Sequence, residues 1–358
     1  MDSTKIYKVP EPTLRRLPWY LSVCRLLKAR GEVYVSSTRL SKETNIVASQ
    51  IDTHRLYGGV VPEIASRAHI EAISRITRQA LNEAGVTLAD ISAVAVTSHP
   101  GLIGALLVGV NFAKSLAFSH NIPLVGVNHI KGHVAAAYLA HELLTPPFLA
   151  LVVSGGHTSL YEVDDYNDFL EIGTTRDDAA GEAFDKIGRV IGLCYPAGAA
   201  MDKLAYEGKA GTVSLPSPAL LGDTLDFSFS GIKTAALNYI NSATQKGEEF
   251  CRADLAASYT DRIVSAIVKK TELALSKSGK KQLVLAGGVA ANSHLRRALE
   301  EMCTRTKTAL FAPPISLCGD NAAMIAAAGY YELLRGNLAD TSLNASASDG
   351  DDFRRKEG

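Results

Sequence analysis

Leu149-Ala150-Leu151-Val152-Val153-Ser154-Gly155-Gly156-His157-Thr158 is an apolar run that ends in paired glycines, and Leu283-Val284-Leu285-Ala286-Gly287-Gly288-Val289-Ala290-Ala291-Asn292 repeats the theme far along the chain. A short apolar run closed by turn residues reads as a buried strand. The first turn leads into another β-rich stretch, whereas the second opens onto helical spacing over Ser293–Arg305. Working outward, strand patterns at Ile91–Thr97, Leu124–Val127 and Ala309–Phe311 alternate with helical patterns at Gly104–Ser119, His129–Glu142, Gly181–Gly192, Ser230–Ser242, Arg252–Ser278 and Asn321–Arg335. A further helix is predicted from Pro62 to Gly85, with proline at its start and glycine at its end. Strands alternating with helices predict an α/β architecture.

Composition narrows the functional classes. The 358 residues, 47% hydrophobic and 21% charged, allow two ordinary domains with real cores. Thirty-seven basic residues balance 37 acidic ones, so no global positive field draws in nucleic acid, and an RNA partner must be met by a local patch or a second protein. The apolar stretches Leu102–Ala113 and Phe148–Val153 fall short of the roughly 18 residues of a membrane span, which predicts a soluble protein without a membrane partner. The start of the chain lacks a secretory apolar core, and Cys24, Cys194, Cys251, Cys303 and Cys318 form no C-x-x-C pair, so a cytoplasmic location is expected.

Four groups of residues could carry chemistry. His129 and His133 stand at i and i+4 of a predicted helix, a spacing that suits one divalent metal and equally suits two surface or capping histidines. Asp320, at a predicted helix start, is the candidate third ligand, or simply an N-cap. The pair lacks the glutamate of H-E-x-x-H, which disfavours proteolysis. The two glycine turns could offer backbone N–H groups to an anion, although the first also fits an ordinary hairpin. Asp177–Lys186 holds four carboxylates, with Asp185 and Asp202 placed to face one pocket, and Leu225–Thr234 adds an aspartate, serines and a lysine. A solvated, capped helix start explains these last two segments as well.

Together these segments closely resemble the TsaD family of tRNA N6-adenosine threonylcarbamoyltransferases. The likeness runs over about residues 46–342 and is carried by Val47–Ile51, Val60–Arg67, His129-x-x-x-His133, Ser154–Thr158, Asp177–Lys186, Leu225–Thr234, Ala286–Asn292 and Gly319–Asn321. It implies an actin-like, Hsp70-like fold of two α/β lobes around a nucleotide cleft. Residues 46–147 with 315–342 would form lobe one, 148–314 lobe two, and 343–358 a flexible tail. It further implies transfer of a threonylcarbamoyl group from threonylcarbamoyl-AMP to N6 of adenosine 37 in tRNAs reading codons that begin with A. On this resemblance His129, His133 and Asp320 hold one divalent metal ion, iron ahead of zinc. Val152, Val153, Ser154, Gly155 and Gly156 cradle the phosphate or acyl part, while Asp185, Gly198, Asp202 and Asn292 hold the nucleotide. The expected partners are tRNA, a TsaB-like paralogue and a TsaE-like ATPase.

The chain departs from that family pattern at Ala197, Ala199, Lys131 and His99, and above all at its start. Only Glu43-Thr44 precedes the matching region, where the family has a strand, a phosphate loop and a second strand. Lys8–Pro18 and Val35–Thr38 resemble instead the opening of the Rex redox-sensing repressors, a winged-helix fragment that stops before the recognition helix. No G-x-G-x-x-G follows, so specific DNA binding is not expected. The alternative to an active transferase is a catalytically impaired nucleotide-binding or partner-binding relative that lacks the first phosphate-loop hairpin.

Overall fold

The computed structural model describes residues 61–217, 223–349 and 352–355. The Rex-like segment 1–45, the Val47–Ile51 motif and Val60 lie outside the described residues.

The chain runs α1 (Pro62–Ala84), β1 (Val94–His99), α2 (Ile103–His120), β2 (Leu124–Asn128), α3 (His129–Ala140), β3 (Phe148–Val153), β4 (Thr158–Asp165), β5 (Asp168–Thr174), α4 (Ala180–Val190), α5 (Gly198–Ala205), α6 (Ser230–Lys246), α7 (Arg252–Ser278), β6 (Gln282–Ala286), α8 (Ser293–Thr306), β7 (Ala309–Phe311), the single turn α9 (Ile315–Cys318), α10 (Ala322–Leu334) and β8 (Arg354–Arg355). Helix α1 begins on Pro62 and is closed by Gly85 in the left-handed region, as its sequence predicts. Six strands form the larger sheet in the order β7-β6-β3-β4-β5-β8, with β3-β4-β5 antiparallel and β6 and β7 parallel to β3. The smaller sheet, among the described residues, is the parallel pair β1-β2.

All six residues of β3 are buried, because helices cover both faces of the sheet at that point. On one face α4, α5, α6, α7 and α8 enclose the largest core, around Phe184, Phe229, Tyr259 and Leu285. On the other lies α3, and it serves two sheets at once. Ile130, Val134 and Ala137 pack on Phe148, Ala150, Val152 and Val284, while Ala135, Ala136 and Leu139 pack with Val125 and Val127 of β2 and with α10. A helix used on every side must be apolar on every side, and eight of the twelve α3 residues are buried. Small residues allow the close approach. A Cβ on Gly132 would lie 2.7 Å from Ile325 Cδ1, and one on Gly329 would lie 2.6 Å from Ala95 Cβ.

Two expectations are corrected. The apolar run Leu102–Ala113 continues as helix to His120, so α2 is, by length and composition alone, long enough to cross a membrane, and it packs on β1 and α1. The polar tail does not hang free. Ala339 donates to Leu124 O at 2.8 Å, Leu343 packs over Gly126, Ser346 donates to Ser98 O at 3.0 Å, and Arg354–Arg355 pair with Leu170–Glu171 of β5. Two apolar side chains, Leu343 and Phe353, reach separate cores there, and that outweighs the polar composition around them.

The Gly329 contact yields a first prediction. Gly329→Leu should destabilise the protein by about 1–3 kcal/mol, the usual cost of overpacking a tight core. The midpoint of urea unfolding checks it, and an unchanged midpoint would mean that α10 can move off β1.

Candidate metal and nucleotide site

The imidazole pair is fixed by backbone. Asn128, the last residue of β2, caps α3, its Oδ1 accepting from Ile130 N at 2.7 Å and Lys131 N at 3.3 Å. That cap sets His129 in the first turn and His133 one turn later, with ring centroids 4.6 Å apart. Asp320 arrives from the other side. The single turn α9 packs against the short 3-10 helix Gly288–Ala291, and Arg296 ties α8 to it by donating to Pro313 O at 2.6 Å and Cys318 Sγ at 3.1 Å. Asn321, not Asp320, caps α10 by accepting from Met324 N at 2.9 Å. The carboxylate is thereby left to the histidines, with Oδ1 at 3.4 Å from His129 Nε2 and 3.3 Å from His133 Nε2.

The donor set suits a cation. His133 is 1% exposed, yet neither ring nitrogen has a hydrogen-bond partner of good geometry among the described residues. An unpaired buried donor or acceptor costs about 1–3 kcal/mol, which a bound ion would relieve. One ligand atom from each of the three residues falls within 4.8 Å of the others. Asp320 keeps 78% of its side-chain surface, so the cluster opens on the cleft and leaves room for further ligands. Burial lowers the His133 imidazole below its ordinary value. At His129 burial also pulls down, but Asp320 and then Asp349 raise it overall. Crowding raises the Asp320 carboxyl, and the two imidazoles more than reverse that, holding it well below the carboxylate range.

The two glycine turns meet. Residues 154–157 join β3 to β4 as a hairpin, with Ser154 N donating to His157 O at 2.8 Å and His157 N to Ser154 Oγ at 3.1 Å. The hairpin reading and the open-backbone reading therefore both hold, since a Cβ on Gly155 or Gly156 would meet no protein atom within 4 Å. Helix α4 starts against this turn, because a Cβ on Gly181 would lie 2.6 Å from Ser154 O. Gly287, at φ 93°, brings the second turn onto the first, where a Cβ would sit 2.3 Å from Val153 O. Val152 and Val153 themselves are buried strand residues.

The remaining candidates are engaged in shaping the cleft wall. Asp185 accepts from Ala197 N at 2.7 Å and also bonds Gly198 N, and burial raises its carboxyl nonetheless. Asn292 caps α8 by accepting from Leu295 N at 2.8 Å. Asp202 takes Ser293 N at 3.0 Å, Ser293 Oγ at 2.8 Å and His294 Nδ1 at 2.7 Å, so its oxygens already carry protein partners. The acidic segment and Leu225–Thr234 prove to be one cross-linked wall. Asp177 accepts from Ser228 Oγ, Phe229 N and Ser230 Oγ, Asp178 pairs with Lys186 and Lys233, and Asp226 accepts from Thr174 N and Arg176 Nε. Sequence reading did not single out Asn128 or Asn321. An asparagine immediately before a helical pattern was the available signal.

Two α/β sheets about a shared helix, with glycine turns facing an imidazole–carboxylate cluster, define a two-lobed fold of the actin-like type. Solved structures of HypF share it. The full-length protein in its phosphate- and nucleotide-bound form matches with TM-score 0.53 at 17% identity over 79% of this chain and 42% of HypF, and T. kodakarensis HypF with TM-score 0.56 at 14% over 76% and 44%. The chain belongs to the TsaD family, tRNA N6-adenosine threonylcarbamoyltransferase, whose sequence model matches residues 43–327. Relatives of that name from Clostridium botulinum and Clostridium perfringens are 51% and 52% identical, each covering 84% of this chain and 89% of the relative. A second family model, for the N-terminus of a DNA-binding protein, matches residues 8–52.

The cross-linked wall sets an acid limit. Burial raises the carboxyls of Asp177, Asp178 and Asp226, but their donors prevail and hold all three below the ordinary value. Stability from such groups is complete above about pH 4 and is lost as pH falls through the depressed folded values. An Asp177→Asn, Asp226→Asn variant should be less stable than the parent at pH 7 and should converge with it in acid. Parallel unfolding curves across pH would refute the linkage.

Proposed function

We propose that this chain transfers the threonylcarbamoyl group of threonylcarbamoyl-AMP to N6 of adenosine 37 in tRNAs reading codons that begin with A. The observation that carries the reading is the buried His133, which makes no hydrogen bond of good geometry among the described residues, beside His129 and Asp320, in a chain about half identical to relatives named for that reaction. His129, His133 and Asp320 would hold one divalent ion, iron ahead of zinc. When bound, the ion supplies Lewis acidity toward a carbonyl or a hold on a carboxylate. The Ser154–Gly156 backbone and the start of α4 would bind the phosphate, since N–H groups and the helix dipole both favour an anion there. Asp185 and Gly198 border the place for the nucleoside, with Asn292 and Asp202 fixing the adjoining start of α8. The target adenosine would enter unstacked, as single-stranded RNA is read.

Residues 46–147 with 315–342 act as lobe one and 148–314 as lobe two in this reading. A TsaB-like paralogue is supported by apolar side chains left exposed on α1 and α2, Ile70, Ile103 and Phe118 among them. A TsaE-like ATPase rests on the family resemblance, and a cytoplasmic site follows from the tRNA substrate. The impaired-relative reading rests on the sequence itself, in which residues 1–45 depart from the family pattern and match a different family model. Replacing residues 1–45 with a family-type strand, phosphate loop and strand separates the two: a large gain in tRNA modification supports impairment, and equal rates exclude it.

The double variant His129→Ala, His133→Ala should lose bound metal by elemental analysis and lower tRNA modification by about 100-fold, the scale of losing one charge-stabilising contact in a transition state. Equal metal content in variant and parent would overturn the site. Calorimetric titration with AMP should show binding that Gly156→Val weakens, because a side chain there would fill the open backbone face. Unaltered affinity would move the phosphate elsewhere.

A further inference from the structure

The C-terminal segment crosses from one sheet to the other on the metal side of the cleft. It leaves lobe one at Ala339 on β2, and Lys114 Nζ donates to Leu343 O at 3.0 Å. At the ends of β1 and β2 it is held by Ser346 N on Ser98 O at 3.0 Å and by Asn128 Nδ2 donating to Asp349 Oδ1 at 3.4 Å. Asn128 is the residue that caps the histidine helix, and the Asp349 charge is felt at His129 and His157. His99 Nε2 then meets Asp352 Oδ2 at 2.6 Å, while His99 Nδ1 lies 2.8 Å from Ser98 Oγ. The order serine, histidine, aspartate is that of a hydrolytic relay, but Ser98 is 2% exposed and no acyl group can reach it. The chain of contacts is a tether. Phe353, 6% exposed, finishes the crossing, its ring 4.8 Å from Tyr161 and 6.0 Å from Phe169 in the core beside α3.

We propose that residues 339–349 and 352–355 form an interlobe strap, fastened by His99–Asp352 and by Phe353 in its aromatic socket, which limits how far the metal side of the cleft opens. Fastened at both sheets, it resists lobe separation through a side-chain hydrogen bond and a buried ring. Asp349, whose charge is felt at His129 and His157, also puts negative charge beside the cluster, so release would ease both opening and the entry of an anionic substrate. That last consequence rests on the transferase reading. The strap itself does not.

Hydrogen–deuterium exchange and cobalt release into a chelator test it on the full chain. Phe353→Ala and His99→Gly should exchange the amides of 339–349 and of β5 sooner and release cobalt about tenfold faster than the parent, as expected when a local closure is loosened. Phe353→Leu should restore much of the protection, and Leu338→Ala, an exposed side chain of the same segment, should change neither reading. Unchanged exchange in both strap variants overturns the proposal, even if Phe353→Ala alone proves unstable. Failure of the parent to retain cobalt would count against the functional reading, and exchange would still decide the strap.

Discussion

Helix α3 has no free side, and the architecture follows from that. One stripe must lie against β3 and β6, another against β2, and a third against α10, so the two sheets are held at the distance that a single helix fills. Gly132 and the run Ala135-Ala136-Ala137 keep its contact faces small, because larger residues would wedge the sheets apart. His129 and His133 ride on a helix packed against both sheets, and Asp320 reaches them through α9 and α10 from the opposite side of the packing.

The second dependence is between the glycine turns. Each follows a strand of the larger sheet, and β3 and β6 are parallel neighbours, so both turns emerge at the same edge. Brought together by the sheet, they still need a residue without a side chain where Gly287 passes Val153 O. The start of α4 closes against them in the same way through Gly181. Three backbone segments thus share one corner, and a Cβ on Gly155, Gly156 or Gly288 would meet no protein atom within 4 Å, so the main chain there is open to a ligand.

Much of this was legible in the amino-acid order. Continuous apolar runs marked β3 and β6, and the i, i+4 histidines marked a helical face, because both signals are local. Helix α5 and strand β5 escaped. The first is short and built partly of glycine and alanine, and the second, Asp168–Thr174, mixes charged and apolar residues because one side is half exposed. The partnership of Asp177 with Ser228 and Ser230 could not be read, since it joins residues about fifty positions apart through a loop rather than through a repeating pattern. The tail misled for the opposite reason. Its composition is polar, and its two apolar anchors, Leu343 and Phe353, each reach a core formed elsewhere.

Asn128 and Asn321 have one consequence in common. Each arm of the candidate site is oriented by an asparagine that sits next to His129 or Asp320 in the chain and holds main chain, not by contacts to the candidate ligand's own side chain. The scaffold is therefore indifferent to which donor atom it displays. A carboxylate or a thiolate at 129, or an imidazole or a thiolate at 320, would leave either helix start undisturbed, so the chemical hardness of the site is a property that substitution can tune while the fold stays fixed.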